Sequence, residues 1–145
     1  TMVGPDLDGS MQQCKQLAIT LGVEKHIRFT GKLSKKEWIT LAQDADIFIN
    51  TTDYDNLPVS VIEAMALGLP VVSTNAGGVP FLIDEGVNGL LVNINDTHAM
   101  AAKVQDLLND RAFAKKLSVN ARTTAKLFDW QLLKVNWHSL LKELN

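Results

Sequence analysis

The sequence is poor in cysteine, in aromatic residues and in long apolar runs. A single cysteine, Cys14, cannot form an internal disulfide, so we expect a protein of a reducing compartment, the cytoplasm. No apolar run approaches the ~20 residues of a membrane-spanning helix, and we expect neither a membrane span nor a signal peptide. Only 6% of the residues are aromatic, but 46% are hydrophobic, which is typical of a globular chain and not of a disordered one.

The sequence also lacks an excess of positive charge. It carries 14 basic and 16 acidic residues, a net charge of −2, which argues against nucleic acid as a partner. A chain of 145 residues has the size of one ordinary domain and can bury roughly 70% of its unfolded surface, so residues 1–145 are expected to form a single domain. Residues 1–4 (TMVG) are typical of the end of a buried strand, and for this reason we expect the chain to be a fragment of a longer protein.

Short apolar runs alternate with helical patterns along the chain. The strands are predicted at 27–29, 47–49, 71–73 and 90–92, and the helices at 10–21, 34–45, 58–67, 97–108, 111–127 and 130–144, with a helical turn at 81–84. This alternation predicts an α/β chain with a parallel sheet. Because ligands bind beyond the carboxyl ends of the strands in such sheets, the loops after Phe29, Ile49 and Ser73 are the first places to look for a site.

The most informative segment, residues 53–68 (DYDNLPVSVIEAMALG), is a loop that leads into a helix N-terminus, which is a natural phosphate site. Glu63 lies one to two turns into an otherwise apolar helix, where a buried carboxylate needs hydrogen bonds or a charged partner. Such a carboxylate is suited to accept two hydrogen bonds from a vicinal diol, for example a ribose. The alternative is that Ser60 and Glu63 form the solvated stripe of an amphipathic helix, and that Asp53 and Asp55 merely cap and fill a turn.

The pattern Asp55-x7-Glu63, followed by residues 64–72 (AMALGLPVV), resembles the E-x7-E motif of retaining glycosyltransferases with the GT-B fold. The similar group is family 4, also called glycosyl transferases group 1. Four further pieces of the pattern stand in the expected order: FTG at 29–31, ADIFI at 45–49, GGVP at 77–80 and GVNGLLV at 86–92. The resemblance covers residues 4 to about 130. It implies a Rossmann-like parallel sheet with helices on both faces, the C-terminal half of a GT-B fold.

The resemblance also implies roles for individual residues. Glu63 is expected to hold the ribose hydroxyls of a nucleotide-sugar donor, and Asp55, as the catalytic residue, to reach hydroxyls of the donor sugar. The segment expected to lie against sugar and diphosphate through backbone groups is Asn56, Leu57, Pro58 and Val59, and the loop expected to receive the base is Gly31, Lys32 and Leu33. The donor phosphate is expected to assist acceptor attack with retention at the anomeric carbon, without a metal ion or other cofactor.

The function implied is the transfer of a sugar from a nucleotide-diphosphate sugar to a glycan or glycolipid, as in polysaccharide biosynthesis. The expected partners are the donor and a missing N-terminal acceptor domain. The first βα unit and the basic residues for the diphosphate would also precede Thr1, so the isolated fragment is expected to be inactive. The full enzyme is compatible with peripheral association at the inner face of the membrane. Two alternatives stay open: a nucleotide-sugar 2-epimerase of the same fold, and a non-catalytic nucleotide-binding α/β module.

Three positions depart from the family pattern. Asp55 is one methylene shorter than the usual glutamate, Asn56 replaces a common glycine, and Phe81 stands where glutamate is common. Two D-x-D sequences, at 44–46 and 53–55, are interpreted as chance and not as metal sites. The isolated histidines are interpreted as structural or surface residues: His26, His98 and His138.

The last predicted helix carries Trp130, Leu133 and Trp137 on one face. One interpretation is that this face packs on the domain's own sheet. The other, which GT-B architecture suggests, is that the helix crosses back to the missing domain and leaves its aromatic residues exposed in this chain.

Overall fold

The computed structural model describes residues 1–143, and within that range it has an α/β architecture. The helices are α1 (Ser10–Thr20), α2 (Lys35–Gln43), α3 (Val59–Leu67), α4 (Thr97–Asn109), α5 (Arg111–Ala125) and α6 (Trp130–Glu143); the strands are β1 (Phe48–Asn50), β2 (Val71–Thr74) and β3 (Leu90–Val92); and short 3₁₀ turns occupy Glu24–His26, Val79–Phe81 and Lys126–Phe128. None of the helices in this range combines the length and the apolar character that crossing a membrane requires.

The chain forms two compact units, residues 1–41 and the residues from Ala42 onward, and the division falls within α2. The single-domain organisation expected from the length stays a prediction. In the first unit α1 ends, as predicted, where Gly22 adopts a positive φ of 68°. The apolar side of the helix predicted at 10–21 carries Met11, Cys14, Leu17, Ala18 and Leu21, and of these only Ala18 is buried.

The strand predicted at 27–29 is wrong in extent. Phe29 makes a single parallel bridge to Met2, in which the Met2 N–H donates to the Arg28 carbonyl at 2.8 Å and the Thr30 N–H to the Met2 carbonyl at 3.1 Å. Both segments were expected to be strands, but a two-stranded pairing of a few residues gains little without further strands beside it.

A capping box of Ser34 and Glu37 forms the start of α2. The Ser34 N–H donates to Glu37 Oε2 at 2.8 Å, and the Glu37 N–H donates to Ser34 Oγ at 3.3 Å. The Ser34 hydroxyl also donates to Glu37 Oε2, at 2.6 Å. These hydrogen bonds favour the ionised carboxylate and lower the pKa of Glu37 below its usual range, the side-chain bond from Ser34 having the larger effect.

The sheet of the second unit is parallel, in the order β1-β2-β3, with Ile49 opposite Val72 and Ser73 opposite Leu91. All four residues of β2 are buried. Because successive side chains point to opposite faces of a sheet, burial of the whole strand means that both faces are covered there. The apolar run 47–49 is typical of a strand that is covered on both faces. This expectation is wrong for Ile49, which is 46% exposed on β1, and β1 pairs with β2 alone among the described strands.

The core of this unit lies between β2, β3, α4 and α5, where Val72, Leu90, Val92, Leu107 and Leu117 pack together. Asp96 caps the start of α4, because its carboxylate accepts a hydrogen bond from the Ala99 N–H at 2.9 Å. The Rossmann-like α/β fold predicted from the sequence is confirmed.

A buried asparagine ties the turn before β3 to α5. The Asn88 amide makes three hydrogen bonds: from the Asp84 N–H at 2.8 Å, to the Leu82 carbonyl at 3.2 Å and to the Thr124 hydroxyl at 3.0 Å. Asn120 of α5 makes one further bond to this turn, from its side-chain amide to the Val87 carbonyl at 2.8 Å.

Helix α6 exposes large apolar side chains, including Trp130 at 62% and Trp137 at 53%. The interpretation that this face is fully packed on the chain's own sheet is therefore wrong for these two residues. Leu144, the last residue of the predicted helix, lies outside the described residues.

Candidate functional site

The loop between β1 and α3 leads to a helix N-terminus that no side chain caps. Helix α3 begins at Val59, and Pro58 occupies the N-cap position without a capping side chain. The Pro58 carbonyl accepts from the Val61 N–H at 3.1 Å, which begins the helical hydrogen bonding. Because the first N–H groups of a helix have no partner within it, and because the helix dipole is positive there, this end of α3 favours an anionic ligand.

Asp55 organises the loop that precedes this helix end. Its side chain is partly buried, and its Oδ1 accepts a hydrogen bond from the Leu57 N–H at 3.0 Å. A short carboxylate that accepts from the N–H two residues further on closes a tight turn. One oxygen of the carboxylate therefore folds the loop that is predicted to meet the donor.

The loop rests on the turn that follows β2, where Gly77 and Gly78 stand side by side. The Gly78 N–H donates to the Asp55 carbonyl at 2.7 Å. A Cβ added to Gly78 would lie 1.5 Å from the Asn56 carbonyl oxygen, and one added to Gly77 would lie 2.1 Å from the Asp55 carbonyl oxygen. Only glycine permits this approach at either position. Paired glycines after a strand are a sequence signal of close backbone approach, but they do not indicate which segment approaches.

Buried polar side chains lie beneath the loop, at the carboxyl ends of β1 and β2. Thr74 is buried, and its hydroxyl donates to the Thr52 carbonyl. The side-chain amide of Asn50 donates to the hydroxyl of Ser73, which is also buried, at 3.0 Å. The sequence did not predict these contacts, because they join residues more than twenty positions apart.

The predicted site residues divide between the two units. The second unit brings together Asp55, Asn56, Leu57, Pro58 and Val59 as one continuous segment, and Glu63 lies further along α3, partly buried. The first unit holds Gly31, Lys32 and Leu33, which immediately precede the capping residue of α2. Gly31 has a positive φ of 68°, and its carbonyl accepts a hydrogen bond from the Gly4 N–H at 3.0 Å. The role of this segment in binding a base stays a prediction.

Two further sequence features concern metal ligands and Phe81. Within residues 1–143, no three His, Cys, Asp or Glu side chains cluster so that they could hold a metal ion. Independence of metal ions stays a prediction of the resemblance. Phe81, where the family pattern commonly has glutamate, is 91% exposed at the end of a 3₁₀ turn.

Comparison with protein-family models decides the family. The model described as glycosyl transferases group 1 matches residues 1–124. The chain belongs to the glycosyl transferases group 1. This confirms the resemblance that was identified from the sequence motifs.

Curated relatives are glycosyltransferases. The D-inositol 3-phosphate glycosyltransferase of Corynebacterium glutamicum is 31% identical over 129 residues, which is 89% of this chain and 31% of that protein. The sulfoquinovosyl transferase SQD2 of Arabidopsis thaliana is 35% identical over 106 residues, 71% of this chain and 21% of that protein. The chain thus spans less than a third of the length of these relatives.

Solved structures of other proteins share the fold of this chain. Sucrose-phosphate synthase from Thermosynechococcus elongatus superposes with a TM-score of 0.88 at 26% identity, over 98% of this chain and 37% of that one. Anabaena HepE in complex with UDP-glucose superposes with a TM-score of 0.82 at 27% identity, over 98% of this chain and 39% of that one. Both are GT-B glycosyltransferase neighbours that extend well beyond the matched region.

Proposed function

We propose that this chain is the donor-binding half of a retaining glycosyltransferase that moves a sugar from a nucleotide-diphosphate sugar to a glycan or glycolipid. The observation that carries the proposal is the Asp55 loop, which rests on Gly77 and Gly78 and leads into the uncapped N-terminus of α3. Membership of the glycosyl transferases group 1 supports a sugar-transferring enzyme. The likeness to HepE, whose structures contain UDP and UDP-glucose, supports a nucleotide-sugar donor.

The helix end provides the first element of the proposed donor site. The diphosphate of a nucleotide sugar is anionic, and the N–H groups of Val59 and Ser60, at the start of α3, are of the kind that bind phosphate oxygens. Pro58 contributes only its carbonyl, because proline has no N–H. The main-chain groups of Asn56 and Leu57 lie next along the chain and would face the sugar and the diphosphate.

Two carboxylates provide the second element. Glu63 would accept hydrogen bonds from both ribose hydroxyls, a role for which a partly buried carboxylate is suited because charge-assisted bonds strengthen away from water. Asp55 uses Oδ1 on the Leu57 N–H, so its second oxygen is the one that would reach hydroxyls of the donor sugar. The base would lie at Gly31, Lys32 and Leu33.

The proposed reaction requires little proton chemistry from this chain. The donor phosphate would take the proton of the attacking acceptor hydroxyl, and the new bond would form on the face that the nucleotide leaves, so that the anomeric configuration is retained. The contribution of this chain would be to hold and orient the donor, which by itself lowers the barrier through positioning. We propose that neither a metal ion nor another cofactor takes part, and that the enzyme works in the cytoplasm or at the inner membrane face.

Calorimetry on the chain with UDP, GDP and their glucose conjugates tests the donor proposal. We expect micromolar to millimolar binding of one nucleotide series. The Glu63→Ala variant should lose the affinity that depends on the ribose hydroxyls, which a comparison of ribose with 2′-deoxyribose nucleotides measures. Glu63→Gln, which keeps the length of the side chain, is the matched variant for the contribution of the charge.

Three outcomes would contradict parts of the proposal. Equal binding of all the nucleotides by Glu63→Ala and by the wild type would refute the role of Glu63. The absence of binding by the wild type would contradict the donor proposal and also the alternative of a non-catalytic nucleotide-binding module. Sugar transfer by the isolated 145 residues would refute the view that an acceptor domain is missing, whereas inversion at C2 of a bound nucleotide sugar would favour the 2-epimerase.

A further inference from the structure

We propose that Thr74 is a positioning residue of the donor site, which sets the place of the Asp55 loop through the carbonyl of Thr52. The inference rests on the proposed function, because it concerns the same loop. It adds a residue to which neither the sequence motifs nor the comparisons assign a role.

The first step is the position of Thr74 itself. It is the last residue of β2, which pairs with a strand on each side, and it is buried. Its hydroxyl donates to the Thr52 carbonyl, 22 residues earlier in the chain. The loop therefore begins from a fixed point on the neighbouring strand.

The second step is the path from Thr52 to the carboxylate. The Thr52 hydroxyl donates to the Tyr54 carbonyl at 3.0 Å, and Tyr54 immediately precedes Asp55. The Asp55 carbonyl then accepts from the Gly78 N–H at 2.7 Å. The segment 52–55 is thus held at both ends, by a side chain of β2 at one end and by the turn after β2 at the other.

The third step concerns what the loop would do without the Thr74 hydroxyl. The Thr52 carbonyl would lose its protein donor, and the loop would gain by moving so that water could satisfy this oxygen. Such a movement would displace the Asp55 turn and, with it, the Leu57 N–H. Because shifts of about 1 Å are enough to impair a positioned site, the donor affinity should respond even where the fold does not.

Thr74→Val tests this inference, because valine keeps the shape of the side chain and removes the donor. We expect the amide protons of Leu57 and Gly78 to exchange faster in this variant, as measured by nuclear magnetic resonance. The affinity for UDP-glucose or GDP-glucose should fall about tenfold. Thr74→Ser keeps the hydroxyl and should restore both quantities to those of the wild type.

Ser118→Ala is the matched control. The Ser118 hydroxyl also donates to a backbone carbonyl, that of Gly68, but at the opposite end of α3. Its loss should lower the melting temperature and leave donor affinity and the exchange of the Leu57 and Gly78 amides unchanged.

Two results would overturn the inference: a Thr74→Val variant that melts earlier but keeps wild-type exchange and affinity, or a Thr74→Ser variant as impaired as the valine. If the wild type binds no nucleotide sugar, the proposed function fails on its own, and the exchange measurements on Leu57 and Gly78 still decide whether Thr74 positions the loop.

Discussion

Replacing Gly78 with alanine should disrupt the candidate site by contact alone. The φ of Gly78 is −87°, which any residue can adopt, so the substitution introduces no backbone strain. The new Cβ, however, would lie 1.5 Å from the Asn56 carbonyl oxygen and 2.6 Å from its carbon. Both atoms belong to the backbone, so no side-chain rotation can relieve the clash.

The size of the effect follows from the distances. A Cβ atom essentially never approaches another heavy atom closer than 3.0 Å, so the gap between the loop and the turn must widen by about 1.5 Å. This movement would break the hydrogen bond from the Gly78 N–H to Asp55, which contributes about 1 kcal/mol. Together with an overpacking cost of about 1–3 kcal/mol, the expected loss is about 2–4 kcal/mol of unfolding free energy.

The same displacement should weaken donor binding. A misplacement of about 1 Å costs on the order of 10²-fold in positioned chemistry, and we expect a loss of that order in the affinity for a nucleotide sugar. Urea unfolding measures the stability and calorimetry measures the affinity. Both are recorded at a temperature at which the variant is fully folded.

Gly86→Ala is the control for the general cost of replacing a glycine in this unit. Gly86 has a positive φ of 73°, but a Cβ there meets no atom within 4 Å. The variant should lose about 1–2 kcal/mol from backbone strain and keep its donor affinity. If Gly78→Ala instead matches the wild type in stability and binding, the loop does not rest on Gly78 and the steric reasoning is refuted.

Two further predictions concern stability. Asn88→Ala should lower the free energy of unfolding in urea by about 2–4 kcal/mol, because it leaves hydrogen-bonding groups in a buried region without a partner. Asn120→Ala removes one hydrogen bond at a partly exposed position and should cost about 1 kcal/mol. Equal costs would contradict the role given to burial. The Glu37 carboxyl should titrate below its usual pKa in a nuclear magnetic resonance pH series, and Ser34→Ala should move that pKa back up. Because the pKa of Glu37 is lowered in the folded state, the stability from this cap is fully present above the unfolded-state pKa. It is lost as the pH falls through the folded-state pKa. A Glu37 titration that Ser34→Ala leaves unchanged would contradict Ser34 as the cause of the lowered pKa.

Local features were predictable because their causes are local. The capping pair Ser34 and Glu37 acts over three residues, as does the cap that Asp96 provides for α4. The end of α3 at Gly68 follows from the left-handed φ of 83° that glycine adopts without strain. Each of these features depends on residues within about one helical turn of each other, so the sequence pattern alone predicts it.

The extent of strands was less predictable, because a strand depends on its neighbours. The run 27–29 has strand-like residues but makes only one bridge in the first unit. The run 47–49 is apolar, as in a buried strand, but Ile49 is 46% exposed, on a strand that pairs with β2 alone among the described strands. Neither outcome is encoded in the run itself.

The sequence by itself determined the α/β alternation, the helix caps and the ordered motifs that identify the family, because each depends on residues close together in the chain. The tertiary structure alone decided how the Asp55 loop is held. Thr74 meets Thr52, and Gly78 meets Asp55, only after β1 and β2 have paired in one register, with Asn50 opposite Ser73. Contacts of that kind depend on long-range pairing that no local pattern specifies.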